Sequence, residues 1–120
     1  VAPLIFIRMK KIYISGPITN DLENFRKHFG DMEKRLTSEG WEVLNPADKN
    51  IDEVTPKLPK GMKHTHPHAW LYFMERDIHW VAECDAIMML DGWETSPGAN
   101  IEYWTAVKYN LEILYESKKC

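Results

Sequence analysis

Glu102 and Asp77 are the two acids whose positions call for a chemical explanation. After Pro97, apolar residues recur at Ala99, Tyr103, Ala106 and Val107, a spacing that predicts a helix with one buried face. Glu102 falls inside that face, between Ala99 and Ala106. A carboxylate aimed into a core is costly unless it is paired or used. The preceding helical segment repeats the anomaly: Asp77 lies within a stripe of Trp70, Phe73, Met74, Ile78 and Val81. Singly, each acid has a plain structural account. Glu102 can complement the dipole in a first turn, and Asp77 can pair with Arg76, Lys11 or another base at the rim. Together, two inward carboxylates are the equipment of glycosidic-bond chemistry. One attacks or stabilises the sugar carbon, the other manages the proton, and unequal burial separates their pKa values.

Two loops could bring a substrate to these acids. Thr95-Ser96-Pro97-Gly98 offers hydroxyls, a glycine and free backbone N–H groups at a helix start, the makings of an anion site. Ser15-Gly16-Pro17 could form a second rim. Both loops serve equally well as ordinary helix starts and turns. Trp93, in the loop before Ser96, is placed to stack on a base; Trp41, Trp70, Trp80 and Trp104 are expected in the core or an interface. His64, His66 and His68 alternate, a spacing open to metal, but no Cys or acid accompanies them. A loop or lid is a simpler reading than a metal site.

The elements that must position these residues follow from periodicity. Residues 11–15 are β-rich and end at Gly16-Pro17. A helix is expected over 21–39, with Leu22, Phe25, Phe29, Met32 and Leu36 on one face, Thr19, Asn20 or Asp21 as cap and Gly40 as stop. Residues 41–44 form a second strand, and 47–67 an irregular stretch rich in proline and lysine. A helix over 68–84, a strand over 85–90, a helix over 97–109 and a strand over 111–115 complete the chain. Such alternation predicts an α/β, Rossmann-like (flavodoxin-like) three-layer sandwich around a mainly parallel sheet of four to five strands. Ligands in such folds sit outside the carboxyl ends of the strands, where both loops above would lie.

Composition sets outer bounds. The 120 residues suit one domain over 9–120, with Met9 as a natural start and 1–8 as an upstream extension. The net charge of −3 gives no reason to expect a nucleic-acid polymer as partner. No apolar run approaches the roughly 20 residues needed to span a membrane, and no signal peptide is apparent. Cys84 and Cys120 make no disulfide framework, which favours the cytoplasm. Cys84, with no evident basic partner, is not expected to be a nucleophile.

Taken in order, 12–18 (IYISGPI), 43–47 (VLNPA), 70–78 (WLYFMERDI), 84–87 (CDAI) and 90–102 (LDGWETSPGANIE) resemble the nucleoside 2-deoxyribosyltransferase and 2′-deoxynucleoside 5′-monophosphate N-hydrolase superfamily. They look most like its small phage and bacterial branch. The resemblance implies that Glu102 attacks the anomeric carbon and that Asp77 holds the sugar or protonates the leaving base. It implies that Tyr13 stands beside the nucleophile and that Gly16, Ser96 and Gly98 lie in phosphate- or sugar-binding loops. Pro17 stands where many monophosphate hydrolases carry a small or basic residue, so a need for a 5′-phosphate stays open. The resemblance implies no metal or organic cofactor, and the implied setting is a homodimer or larger homo-oligomer in a bacterial or phage-infected cell. The alternative is a nucleotide-binding module without turnover.

Overall fold

In a computed structural model, residues 9–18, 22–48, 57–63 and 65–117 are described. The proposed caps Thr19, Asn20 and Asp21, together with His64, Cys120 and residues 1–8, lie outside them. The order is β1 (Lys11–Ser15), α1 (Leu22–Ser38), β2 (Glu42–Leu44), α2 (Ala69–Glu83), β3 (Ala86–Met89), a short 3-10 turn (Trp93–Thr95), α3 (Pro97–Lys108) and β4 (Glu112–Tyr115). The described strands form one four-stranded sheet in the order β2-β1-β3-β4, with every neighbouring pair parallel. This is the expected Rossmann-like α/β sandwich.

Three layers follow from the alternation of side chains along β1 and β3. Ile12, Ile14, Ala86 and Met88 face α1, where they meet Phe25, Phe29, Met32 and Leu36. Tyr13, Ile87 and Met89 face the other way, toward Val81 of α2 and Ala99 and Ala106 of α3. β3 is buried at all four positions, as a central parallel strand must be.

Two helix ends share one device. Gly40 (φ 96°) follows α1, and the N–H groups of Gly40 and Trp41 donate to the carbonyls of Thr37 and Leu36. Asn110 (φ 57°) does the same after α3, with Asn110 and Leu111 donating to Val107 and Ala106. This paired closure uses a left-handed residue, for which glycine and asparagine are suited.

Two expectations need correction: Trp70 (45% exposed) and Val107 (38%), expected in buried stripes, face solvent. Trp104, expected in the core or an interface, is exposed (64%). α2 and α3 lie side by side on one sheet face, so each buries only a narrow strip. The buried residues are Ala69, Met74, Asp77 and Val81 in α2, and Ala99, Glu102 and Ala106 in α3.

Candidate active site

The sheet order reverses between β1 and β3, and loops leaving those strands diverge there to opposite faces. That switch point is where such sheets bind ligands. β1 supplies the floor. Period two places Tyr13 and Ser15 on the same face, toward α2 and α3. Both are buried, at 0% and 1% exposure.

Glu102 of α3 meets them. The Tyr13 hydroxyl donates to Glu102 Oε2 at 2.6 Å, and the Ser15 hydroxyl donates to Glu102 Oε1 at 2.7 Å. Each carboxylate oxygen therefore has a donor, and the carboxyl group is held in one orientation. Glu102 is only 6% exposed. Burial pushes its carboxyl up to about 8; the charge of Asp77 adds to the rise, and the bonds from Tyr13 and Ser15 oppose it.

Asp77 approaches from α2, also buried. Arg76 Nε and Nη2 both donate to Asp77 Oδ1, at 3.1 and 3.0 Å. Arg76 is one of the bases foreseen as a partner of Asp77. Burial raises the Asp77 carboxyl as well, but the charge and hydrogen bonds of Arg76 pull it down. Asp77 and Glu102 are near enough for the charge of Asp77 to raise the Glu102 carboxyl. Burial and the neighbouring charge of Asp77 thus favour the protonated form of Glu102, while Arg76 offsets part of the same effect at Asp77. Tyr13 is held well above its ordinary 10.0, by burial first and then by the charge of Glu102, so it remains a proton donor.

The loop residues have structural partners of their own. Ser96 caps α3, its Oγ accepting the Ala99 N–H at 3.2 Å. A Cβ on Gly98 would meet Met74 Sδ at 3.3 Å, so this glycine serves the close packing of α3 on α2. A Cβ on Gly16 would lie 2.8 Å from Leu90 Cβ. Pro17 borders Gly92 (φ 89°), bringing the loops after β1 and β3 together. Trp93 stacks on Tyr103, with ring centroids 4.8 Å apart. Replacing Gly16 by alanine is therefore expected to cost about 1–3 kcal/mol by overpacking. Denaturant unfolding without ligand checks this; an unchanged midpoint would free Gly16 for a purely ligand-binding role.

Sequence reasoning placed Ser15 on a substrate rim, whereas its hydroxyl holds the central carboxylate. The shared face of residues 13 and 15 was the available signal. Asn100 was missed altogether. Its Nδ2 reaches the carbonyls of Glu94 and Ser96 at 3.0 and 2.8 Å and fastens the turn before α3. Nothing in its sequence neighbourhood marks that role.

The His66 Nδ1 accepts the His68 N–H at 3.0 Å, which occupies it at the start of α2. Among the described residues no group of three or more His, Cys, Asp or Glu is arranged to hold a metal. Burial pushes the Cys84 thiol up to about 11, which keeps it protonated and unreactive at neutral pH. Among the described residues no helix is long and apolar enough to cross a membrane.

One family match spans this whole arrangement. Residues 10–115 fit the domain of unknown function DUF4406. The chain belongs to the DUF4406 family. The match runs from the residue before β1 to the last residue of β4, so the DUF4406 domain contains Tyr13, Ser15, Asp77 and Glu102 together. No curated protein matches the chain.

Proposed function

We propose that this DUF4406 domain cleaves or exchanges the N-glycosidic bond of a (deoxy)nucleoside or its 5′-monophosphate, with Glu102 as nucleophile and Asp77 as its acid–base partner. One observation carries the reading: a buried carboxylate held by Tyr13 and Ser15, with a second carboxylate beside it at the sheet's switch point. The sequence resemblance to deoxyribosyltransferases and monophosphate N-hydrolases supports the choice of bond.

The proton balance closes on these residues. Glu102 passes its proton to Asp77 as the sugar enters. The Glu102 carboxylate then attacks the anomeric carbon, the carbon–nitrogen bond breaks, and the base leaves with the proton of Asp77. A glycosyl ester on Glu102 results. Water attacks the same carbon, gives a proton to Asp77 and frees Glu102. A second nucleobase in place of water makes the reaction a transfer. Tyr13 and Ser15 hold the carboxylate throughout, and Ser96, Gly98, Gly16, Pro17 and Trp93 are the residues assigned to hold the sugar, phosphate or base. Glu102 and Asp77 are nearly closed off, so the site must open to admit the sugar.

That closure also favours a second reading, a nucleotide-binding module without turnover. Both oxygens of Glu102 already have donors, as a purely structural or ribose-binding carboxylate would. Incubation with a panel of nucleosides and 5′-monophosphates, with and without an acceptor base, separates the two. Free base without acceptor means a hydrolase, and exchange only with acceptor means a transferase. Silence from folded protein that still binds a nucleotide means the module.

We place the domain in the cytoplasm and in a homodimer or larger assembly. The support for assembly is an apolar face on α3 and its neighbour α2. Ile101, Trp104, Val107 and Tyr109 are exposed there, and a hollow of about 430 Å³ runs beside Ile78 and Trp104. Patches rich in exposed Trp and Tyr are typical of interfaces. Native protein is expected to sediment above its 14.1 kDa chain mass, and Trp104→Glu to shift it toward the monomer. Monomer at every concentration would contradict the assembly.

A further inference from the structure

Arg76 is the remaining charge beside the carboxylate pair. Its guanidinium lies 4.3 Å from the centre of the Trp80 ring and 5.3 Å from that of Phe73. Neighbouring residues on a helix do not normally face each other, yet two of its nitrogens reach one oxygen of Asp77. The side chain is 14% exposed and that of Asp77 10%. A stacked, planar fork loses little further freedom on binding its carboxylate. Asp77 Oδ1 is thereby occupied by the fork, and the charge and hydrogen bonds of Arg76 oppose the rise that burial imposes on Asp77.

We propose that Arg76 is the positioning residue of this site: clamped on Trp80, it fixes Asp77 and decides which of the two carboxylates holds the shared proton before substrate enters. The proposal deepens the N-glycosidic reading and rests on it for its catalytic meaning. The placement of the proton itself needs no substrate. Lysine in place of Arg76 would keep a charge but lose the fork and the flat stack, so it would hold the proton order less firmly. Other groups that face Arg76 are few. Lys57, Tyr72, Glu75 and His79 line the hollow on its outer side, and Tyr13 and Glu102 lie on its inner side. Of the residues on the outer side, Lys57, Glu75 and His79 are exposed and Tyr72 is half-buried, so water screens them more than it screens Asp77.

The test is a carbon-13 carboxyl titration of the full chain by NMR, with Asp77 and Glu102 assigned through Asp77→Asn and Glu102→Gln. In native protein Asp77 is expected to titrate below Glu102. In Arg76→Gln the Asp77 midpoint is expected to rise by about one to three pH units, the effect of losing an adjacent opposite charge. The order of the pair then inverts or merges, and Arg76→Lys falls between. An unchanged order in folded Arg76→Gln would overturn the proposal. If Arg76→Gln does not fold, Arg76→Lys decides: native-like midpoints overturn the proposal, and a partial rise of Asp77 supports it. Base-release profiles of the same proteins supply the catalytic readout. With a shifted order, the optimum of Arg76→Gln should move with the new midpoints. No turnover by any protein, with the titration as expected, would sink the N-glycosidic reading and leave the proton placement standing. Turnover with an unmoved titration would do the reverse.

Discussion

Glu102→Gln is expected to lose base release by about a thousandfold or more, the scale on which removal of a covalent nucleophile is felt. The variant should remain folded. Glutamine matches glutamate in shape, its carbonyl can accept one of the two hydroxyls, and the other hydroxyl can turn to accept from its amide. Tyr13 and Ser15 are both buried, so they need that replacement partner. Glu102→Ala should lose activity equally but leave both hydroxyls stranded, with a lower melting temperature. The comparison separates chemistry from architecture: equal loss of activity with unequal loss of stability marks a nucleophile. Substantial base release by folded Glu102→Gln would remove Glu102 from that role.

The second large effect concerns stability against pH. The folded carboxyl of Glu102 is raised from 4.5 to about 8, and that of Asp77 is raised in the same direction from 3.8. A carboxyl raised on folding binds its proton more tightly in the native state. Its contribution is fully present below the unfolded value and is lost as pH climbs toward the folded one. Between about 4.5 and 8 the unfolded chain has given up the Glu102 proton while the native protein retains it. Stability therefore falls with rising pH across that window. Each pH unit of offset is worth about 1.4 kcal/mol, so the loss is on the order of a few kcal/mol. Glu102→Gln should flatten the profile and be more stable than native protein at pH 8. Such a gain is typical of a residue kept for chemistry rather than for stability. Denaturant midpoints of both proteins across this range check the sign. A native profile parallel to that of Glu102→Gln would show that burial does not hold the proton on Glu102.

Much of the fold was legible because its signals were periodic. The stripe Phe25, Phe29, Met32 and Leu36 is buried as read, and Gly40 ends α1 through its left-handed backbone. The apolar run in β3 marked a central parallel strand. Trp70 and Val107 were misplaced because an apolar stripe does not say how wide a strip the neighbouring helix covers. The two inward acids were visible as breaks in apolar stripes, and both are buried. The direct bond of Ser15 to Glu102 spans the sheet and α3, and no local pattern encodes it. The same holds for Gly16. Its sequence marked a turn, but only the approach of Leu90 shows why a side chain is excluded there.

Trapping the glycosyl ester tests the central claim most directly. Protein turning over a slow nucleoside substrate is quenched in acid, and the peptide carrying Glu102 is weighed and fragmented. The expected result is a mass gain of one sugar residue located on Glu102, absent from Glu102→Gln and lost when an acceptor base is added before the quench. Steady release of base with no adduct, or with the sugar on another residue, would contradict Glu102 as the nucleophile.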